Sequence, residues 1–210
     1  MSGSRVWPAG WTRLHVYAIP DLDTLPELRE LIARARAIVS EFPATIAPVP
    51  DRWIHATVDK VNGRAAADVN EQQRAALDEA LRRRLAGLPP VEATAGPALT
   101  TAGGVLLDMN GDQPGEPWAE ATTRVRAAIA DVFGDSGLAK PAGPPHFSIG
   151  YTTAHQDTDP VQARLRWQVR PSRAAVRFTA LDLVDVVQDT TRNEYRWKLI
   201  HRVFLGSEAN

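Results

Sequence analysis

From Trp11 to Ile19 the chain alternates, with Leu14, Val16 and Ala18 on one side and Arg13, His15 and Tyr17 on the other, which predicts a strand with two unlike faces. The period then lengthens. Leu28, Leu31, Ile32, Ala35 and Val39 recur at helical spacing behind Thr24, an expected N-cap, and Pro26 in the first turn, so a helix is predicted over about residues 25–40, ending before Pro43. After the proline-punctuated stretch Pro43 to Pro50, the segment Trp53-Ile54-His55-Ala56-Thr57-Val58 alternates again, with Asn62-Gly63 as the turn behind it. Asn70 and Gln73 have capping-box spacing, and Leu77, Leu81, Leu85 and Leu88 mark one face of a helix that Pro89-Pro90 stops. Strands are predicted at about 91–99 and 104–109, the second followed by the turn Asn110-Gly111.

The order of elements then repeats. Pro117 to Phe133 places Trp118, Ala121, Val125, Ala128, Ile129 and Val132 on one side with Gly134 just past the end, and residues 134–145 read as a Gly- and Pro-rich loop. His146 to Tyr151 is a predicted strand, Asp159-Pro160 opens a helix to about Val169, and two long strands at about 175–187 and 195–205 flank the polar turn 189–193. Each half therefore reads strand, helix, strand, helix, strand, with one extra strand at the carboxyl end, a duplication visible in element order and not in residue identity. No composition break separates the halves. One domain of two lobes is expected, about 11–100 and 101–206, sharing a continuous groove.

Composition narrows the chemistry. The 210 residues include 24 basic and 25 acidic side chains, 44% apolar residues and no cysteine. A chain of this length buries roughly 70% of its unfolded surface, enough for one large core or two lobes. Without cysteine there is no thiolate nucleophile, zinc ribbon or disulfide framework, so any chemistry falls to His, Asp, Glu, Ser, Thr, Lys or Arg. A net charge of −1 argues against a protein that coats duplex nucleic acid. Residues 1–10 carry no apolar leader and no stretch reaches the roughly 18 apolar residues of a membrane helix, so a cytoplasmic protein with no membrane partner is expected.

The middle strand of each half carries one small pattern, Ile54-His55-Ala56-Thr57-Val58 and Pro145-His146-Phe147-Ser148-Ile149. On a strand, His and the hydroxyl two residues on share a face, while Ile54, Ala56, Val58, Phe147, Ile149 and Tyr151 take the other. Two imidazoles across a cleft are equipped for acid–base catalysis, and the two hydroxyls can donate to the non-bridging oxygens of an anion between them. Either motif alone is as readily a structural histidine. The pair, at equivalent places with apolar residues opposite, favours catalysis.

With these motifs, about ninety residues apart, and the duplicated element order, the chain resembles the 2H phosphoesterase superfamily, the 2′-5′ RNA ligase-like or cyclic phosphodiesterase family, over essentially its whole length. The resemblance implies a bilobal α+β fold whose two antiparallel sheets form a concave groove with helices outside and pseudo-twofold symmetry. It implies hydrolysis of a 2′,3′-cyclic phosphodiester, with a 5′-hydroxyl replacing water in the ligation sense. It makes His55 the acid and His146 the base, and gives Thr57 and Ser148 the phosphate oxygens. No metal or cofactor is expected. Ser148 stands where many members have Thr, and the hydroxyl donor is kept. No Arg or Lys is evident beside either motif on the histidine face, which favours a nucleotide or short RNA end as partner over a long RNA.

His15 and Tyr17 share the polar face of the first strand and are candidates to line the groove, Tyr17 by stacking on a base. Trp53 shares parity with His55 and reads as core or rim. His155 and His201 receive no role, and no His spacing suits a metal. The run Arg82-Arg83-Arg84 reads as a solvated helix face rather than a phosphate patch. Two rivals remain: a superfamily enzyme for another cyclic or 2′-5′ linked substrate such as an ADP-ribose cyclic phosphate, and a nucleotide- or RNA-end-binding module without turnover. A two-lobed site needs no partner to complete it, so a monomer is expected.

Overall fold

The structure, a computed structural model, describes residues 6–138, 140, 143–155 and 157–206. Its elements run β1 (Thr12–Ala18), α1 (Pro26–Val39), β2 (Ile46–Pro48), β3 (Ala56–Lys60), α2 (Glu71–Leu85), β4 (Val91–Thr101), β5 (Gly104–Met109), α3 (Pro117–Phe133), β6 (His146–Thr152), α4 (Asp159–Gln168), β7 (Ala174–Phe178), β8 (Ala180–Asp189) and β9 (Glu194–Phe204). They build two antiparallel sheets, one ordered β3-β1-β8-β9 and the other β2-β6-β5-β4-β7. Helices α2 and α3 pack together beside the first sheet, and α1 and α4 pack on the second. The fold is α+β with two antiparallel sheets, as expected.

Local signals account for most elements. The Asn70 side chain accepts from the Gln73 backbone N–H while Gln73 returns a bond to Asn70, so α2 starts where its capping box lies. Helix α3 runs from Pro117 to Phe133, burying Trp118, Ala121, Val125, Ala128 and Ile129. Thr24 does not cap α1; its hydroxyl donates to the Asp21 carbonyl in the preceding turn, and Leu25 is the N-cap residue. Thr158, not Asp159, precedes α4. In the loop expected at 134–145, residues 135–137 form a 3-10 turn, and 139, 141 and 142 lie outside the described residues.

Three departures shape the groove. The strand expected at 175–187 is two, because at Thr179 the chain leaves its pairing with β4 and takes up pairing with β1 and β9. The sheets therefore draw strands from both sides of residue 100: β8 and β9 complete the sheet that β1 and β3 begin, and β2 joins the other. Trp53 sits in a 3-10 turn at residues 51–53, so His55 directly precedes β3 instead of lying within it. Finally, β2 forms inside the proline-punctuated stretch and pairs with β6.

Two bulges set which side chains face the groove. In β3 the register passes from Thr57 opposite Tyr17 to Asp59 opposite Val16, leaving Val58 as the extra residue. In β6 it passes from Ser148 opposite Leu106 to Gly150 opposite Val105, leaving Ile149 extra. Gly150 and Gly104 permit this second bulge. A Cβ on Gly104, at φ +145°, would stand 1.9 Å from the Gly150 carbonyl oxygen, and one on Gly150 would meet Ile46 and Val39 at 2.7 and 2.9 Å. Arg83 and Arg84 of the arginine run both bind Asp131, and Arg82 binds Asp78, which is the solvated-face reading in detail. Among the described residues, no helix is long and apolar enough to cross a membrane.

Candidate active site

The sheets approach one another along β3 and β6, the strands of the two motifs. His55 is buried, 9% exposed, and His146 is partly exposed. The Nδ1 of His55 lies 2.9 Å from the Trp53 carbonyl oxygen and that of His146 lies 2.8 Å from the Pro144 carbonyl oxygen. A carbonyl only accepts, so each Nδ1 carries the proton and each neutral ring presents a bare Nε2. Both rings thus use the carbonyl two residues upstream for the same purpose.

Around each motif hydroxyl stands a tyrosine. Tyr17 lies opposite Thr57 across the β1–β3 pair and is hydrogen-bonded to it; Tyr151 is hydrogen-bonded to Ser148. Burial raises both phenols above the ordinary tyrosine range, against the opposing effect of the bonds to Thr57 and Ser148, so each stays protonated. Tyr151 was expected on the core face with Ile149. The bulge at Ile149 turns the later residues of β6 over, and Tyr151 meets Ser148 on the groove side, its ring 5.4 Å from that of Tyr195.

His55 sits in an aromatic enclosure. Tyr17 stacks on it, and the Trp197 ring stands edge-on at 4.8 Å; Trp197 in turn packs on Trp53, whose Nε1 donates to Glu194. Loss of water lowers the His55 pKa to about 4; the bond to Trp53 opposes the shift and the charge of His146 adds to it. Tyr17 is only 1% exposed, so it supports His55 from behind instead of offering a free face to a base.

His15 is also buried, with neither ring nitrogen hydrogen-bonded, and its pKa is well below the ordinary value, through burial first and then the charges of Lys60, His55 and Arg13. It pairs across the sheet with Lys60. A lysine beside the first motif on this face was not expected. The Val58 bulge places it there, since strict alternation from Thr57 would give that face to Asp59, which is instead buried against Arg126. His201 faces α2, where it meets Asp78 and Arg82, and His155 lies in the loop before α4. Among the described residues no three His, Asp or Glu side chains cluster in a way that could hold a metal ion.

Sequence reasoning missed Tyr151, Tyr195, Trp197 and Lys60. Tyr195 and Trp197 carry alternating parity on a predicted strand, but nothing local says that β9 lies in the same sheet as the first motif. Tyr151 and Lys60 are displaced from simple alternation by bulges.

Comparison with known proteins bears on the family and the fold. The model of the 2′-5′ RNA ligase superfamily matches residues 26–190. TT0787 of Thermus thermophilus is similar in structure at a TM-score of 0.66 and 16% identity, covering 94% of this chain and 100% of that one. Escherichia coli LigT, solved with NADP+ and with 3′-AMP, is similar at TM-scores of 0.61 and 0.60 and identities of 19% and 20%, covering 93% of this chain and 98% of that one. No curated protein matches the sequence.

Proposed function

The chain belongs to the 2′-5′ RNA ligase superfamily, and from that premise we propose that it hydrolyses 2′,3′-cyclic phosphodiesters, at an RNA end or in a small nucleotide, by acid–base catalysis between His55 and His146 without a metal ion. The observation that carries this reading is the matched pair of motifs. Each has an imidazole whose Nδ1 is committed to the carbonyl two residues upstream and a hydroxyl backed by a tyrosine. That LigT is seen with NADP+ and 3′-AMP supports a nucleotide as the ligand.

In the proposed reaction His146, the more exposed ring, accepts a proton through Nε2 from a water that attacks phosphorus in line with the departing ribose oxygen. As that P–O bond breaks, His55 gives its proton to the ribose oxygen. Thr57 and Ser148 donate to the non-bridging oxygens, where negative charge grows. A 5′-hydroxyl in place of water gives a 2′-5′ linkage by the same steps. Burial makes protonated His55 a strong acid, suited to a poor leaving group. The phosphodiester's charge beside it is what holds the proton there before the reaction.

The test is hydrolysis of a 2′,3′-cyclic mononucleotide with and without a chelator. Turnover that survives chelation is the expected result. Tight binding with no turnover would replace the proposal with a binding module, and turnover lost on chelation would overturn its metal-free mechanism.

A further inference from the structure

Thr57, Tyr17, Asp182 and Arg202 form one row across all four strands of the first sheet: Thr57 pairs with Tyr17, Tyr17 with Asp182, and Asp182 with Arg202. Residues directly paired across a sheet share a face, so Arg202 stands on the same face as the first catalytic motif. Three strand spacings separate it from Thr57, about 14 Å.

Arg202 is set in place. Its Nε and Nη2 donate to the two oxygens of Asp182, at 2.7 Å each, and Asp182 is almost fully buried. This fork fixes the guanidinium plane and leaves its remaining N–H groups pointing away from the carboxylate. Arg202 borders a pocket of about 640 Å³, lined also by Ile19, Asp21, Arg177, Thr179 and Phe204. Arg177 projects from β7 and lies 3.7 Å from Glu92, a loose contact that leaves it 57% exposed. Phe204 is 63% exposed, unusual for phenylalanine on a strand. Ile19 lines this pocket and also packs on the cluster of Tyr17, Val184 and Val186.

A largely exposed aromatic side chain, an oriented guanidinium and a second, loosely held one are what a nucleotide of a single strand requires: a surface for its base and donors for its phosphate. We propose that this pocket is a second nucleotide subsite, holding a residue of the RNA strand upstream of the cyclic end, with its base on Phe204 and its phosphate on Arg177 and Arg202. The inference rests on the proposed function and deepens it, since it makes the substrate an oligonucleotide in preference to a cyclic mononucleotide.

The experiment compares kcat/KM for a cyclic mononucleotide with that for a trinucleotide ending in the same 2′,3′-cyclic phosphate. The wild-type protein should favour the trinucleotide by at least tenfold. Phe204→Ala should reduce that ratio by about five- to hundredfold, the range for one stacked base. Arg177→Gln should reduce it too, and lower the salt dependence of trinucleotide binding by about 0.7 in the log–log slope. Because Arg202→Gln alone strands a buried carboxylate, the double variant Asp182→Asn/Arg202→Gln is used for that position. Equal use of both substrates, with a ratio unmoved by Phe204→Ala and Arg177→Gln, overturns the subsite and leaves the hydrolytic function standing. Fluorescence anisotropy with a trinucleotide ending in a 3′-phosphate covers the converse case. Without turnover on either substrate, binding that still depends on Phe204 and Arg177 sustains the subsite while the hydrolytic function falls, and binding that does not depend on them overturns both.

Discussion

Tyr17 lies flat against His55, the ring centroids 3.9 Å apart and the planes 22° from parallel. One side chain therefore does two things: it strips water from the imidazole, and its phenol holds Thr57, the hydroxyl of the same motif. The consequences can be measured.

Replacing the two ring functions separates them. Tyr17→Phe keeps the stack and loses the bond to Thr57, and should lower kcat several-fold, in keeping with a net hydrogen bond of about 1 kcal/mol, with little change in stability. Tyr17→Ala opens a cavity at a site 1% exposed and should cost roughly 3–5 kcal/mol in urea denaturation. A kcat unchanged in Tyr17→Phe would show that the phenol plays no part.

Loss of either imidazole should be severe. His55→Ala and His146→Ala are each expected to lower kcat by about 10²–10⁴-fold on a 2′,3′-cyclic substrate. Unchanged turnover in either variant would remove that residue from the mechanism.

The hydroxyls should behave as donors to the charged intermediate. Ser148→Ala is expected to reduce kcat by about 10²-fold, at the lower end of the range for one such donor, while Ser148→Thr restores most of the activity. A Thr variant as poor as the Ala variant would mean that Ser148 acts through packing.

Stability should fall on acidification. The folded-state pKa of His55 is lowered to about 4 against an ordinary 6.5, so the unfolded chain binds the proton first as pH drops. The contribution of His55 is intact above pH 6.5 and is lost between 6.5 and 4, about 2 kcal/mol of it between pH 7 and pH 5. His15, whose pKa is also lowered by burial, adds in the same direction. Urea midpoints measured at pH 7 and 5 should show the drop, and His55→Gln should flatten it.

The pair beneath the first motif is structural. Asp59 is 1% exposed and accepts from Arg126 Nη1 at 2.6 Å. Arg126→Met should destabilise by about 3–5 kcal/mol, because a buried carboxylate loses its partner, and the double variant Asp59→Asn/Arg126→Met should recover much of the loss. A double variant as unstable as the single one would assign the cost to packing of the arginine stem.

Helix α2 with its Asn70 and Gln73 box, helix α3 with its buried apolar face, and the strand alternation of β1 were all legible in the sequence, as was the pairing of His55-Ala-Thr57 with His146-Phe-Ser148. Such features are set by neighbours within a turn of helix or a few strand residues, so a local pattern contains them. Tertiary structure alone decided the break at Thr179, the bulges at Val58 and Ile149, and the joining of β9 to the sheet of the first motif. Each depends on which strand supplies the next hydrogen-bond partner, and that partner can lie about 170 residues away, as Val184 does from His15. The same long-range pairing turned Tyr151 and Lys60 to the groove face and brought Trp197 against His55. The sequence by itself therefore determined which residues the proposed acid–base chemistry draws on. The pairing of distant strands determined their surroundings, and with them how tightly His55 holds its proton.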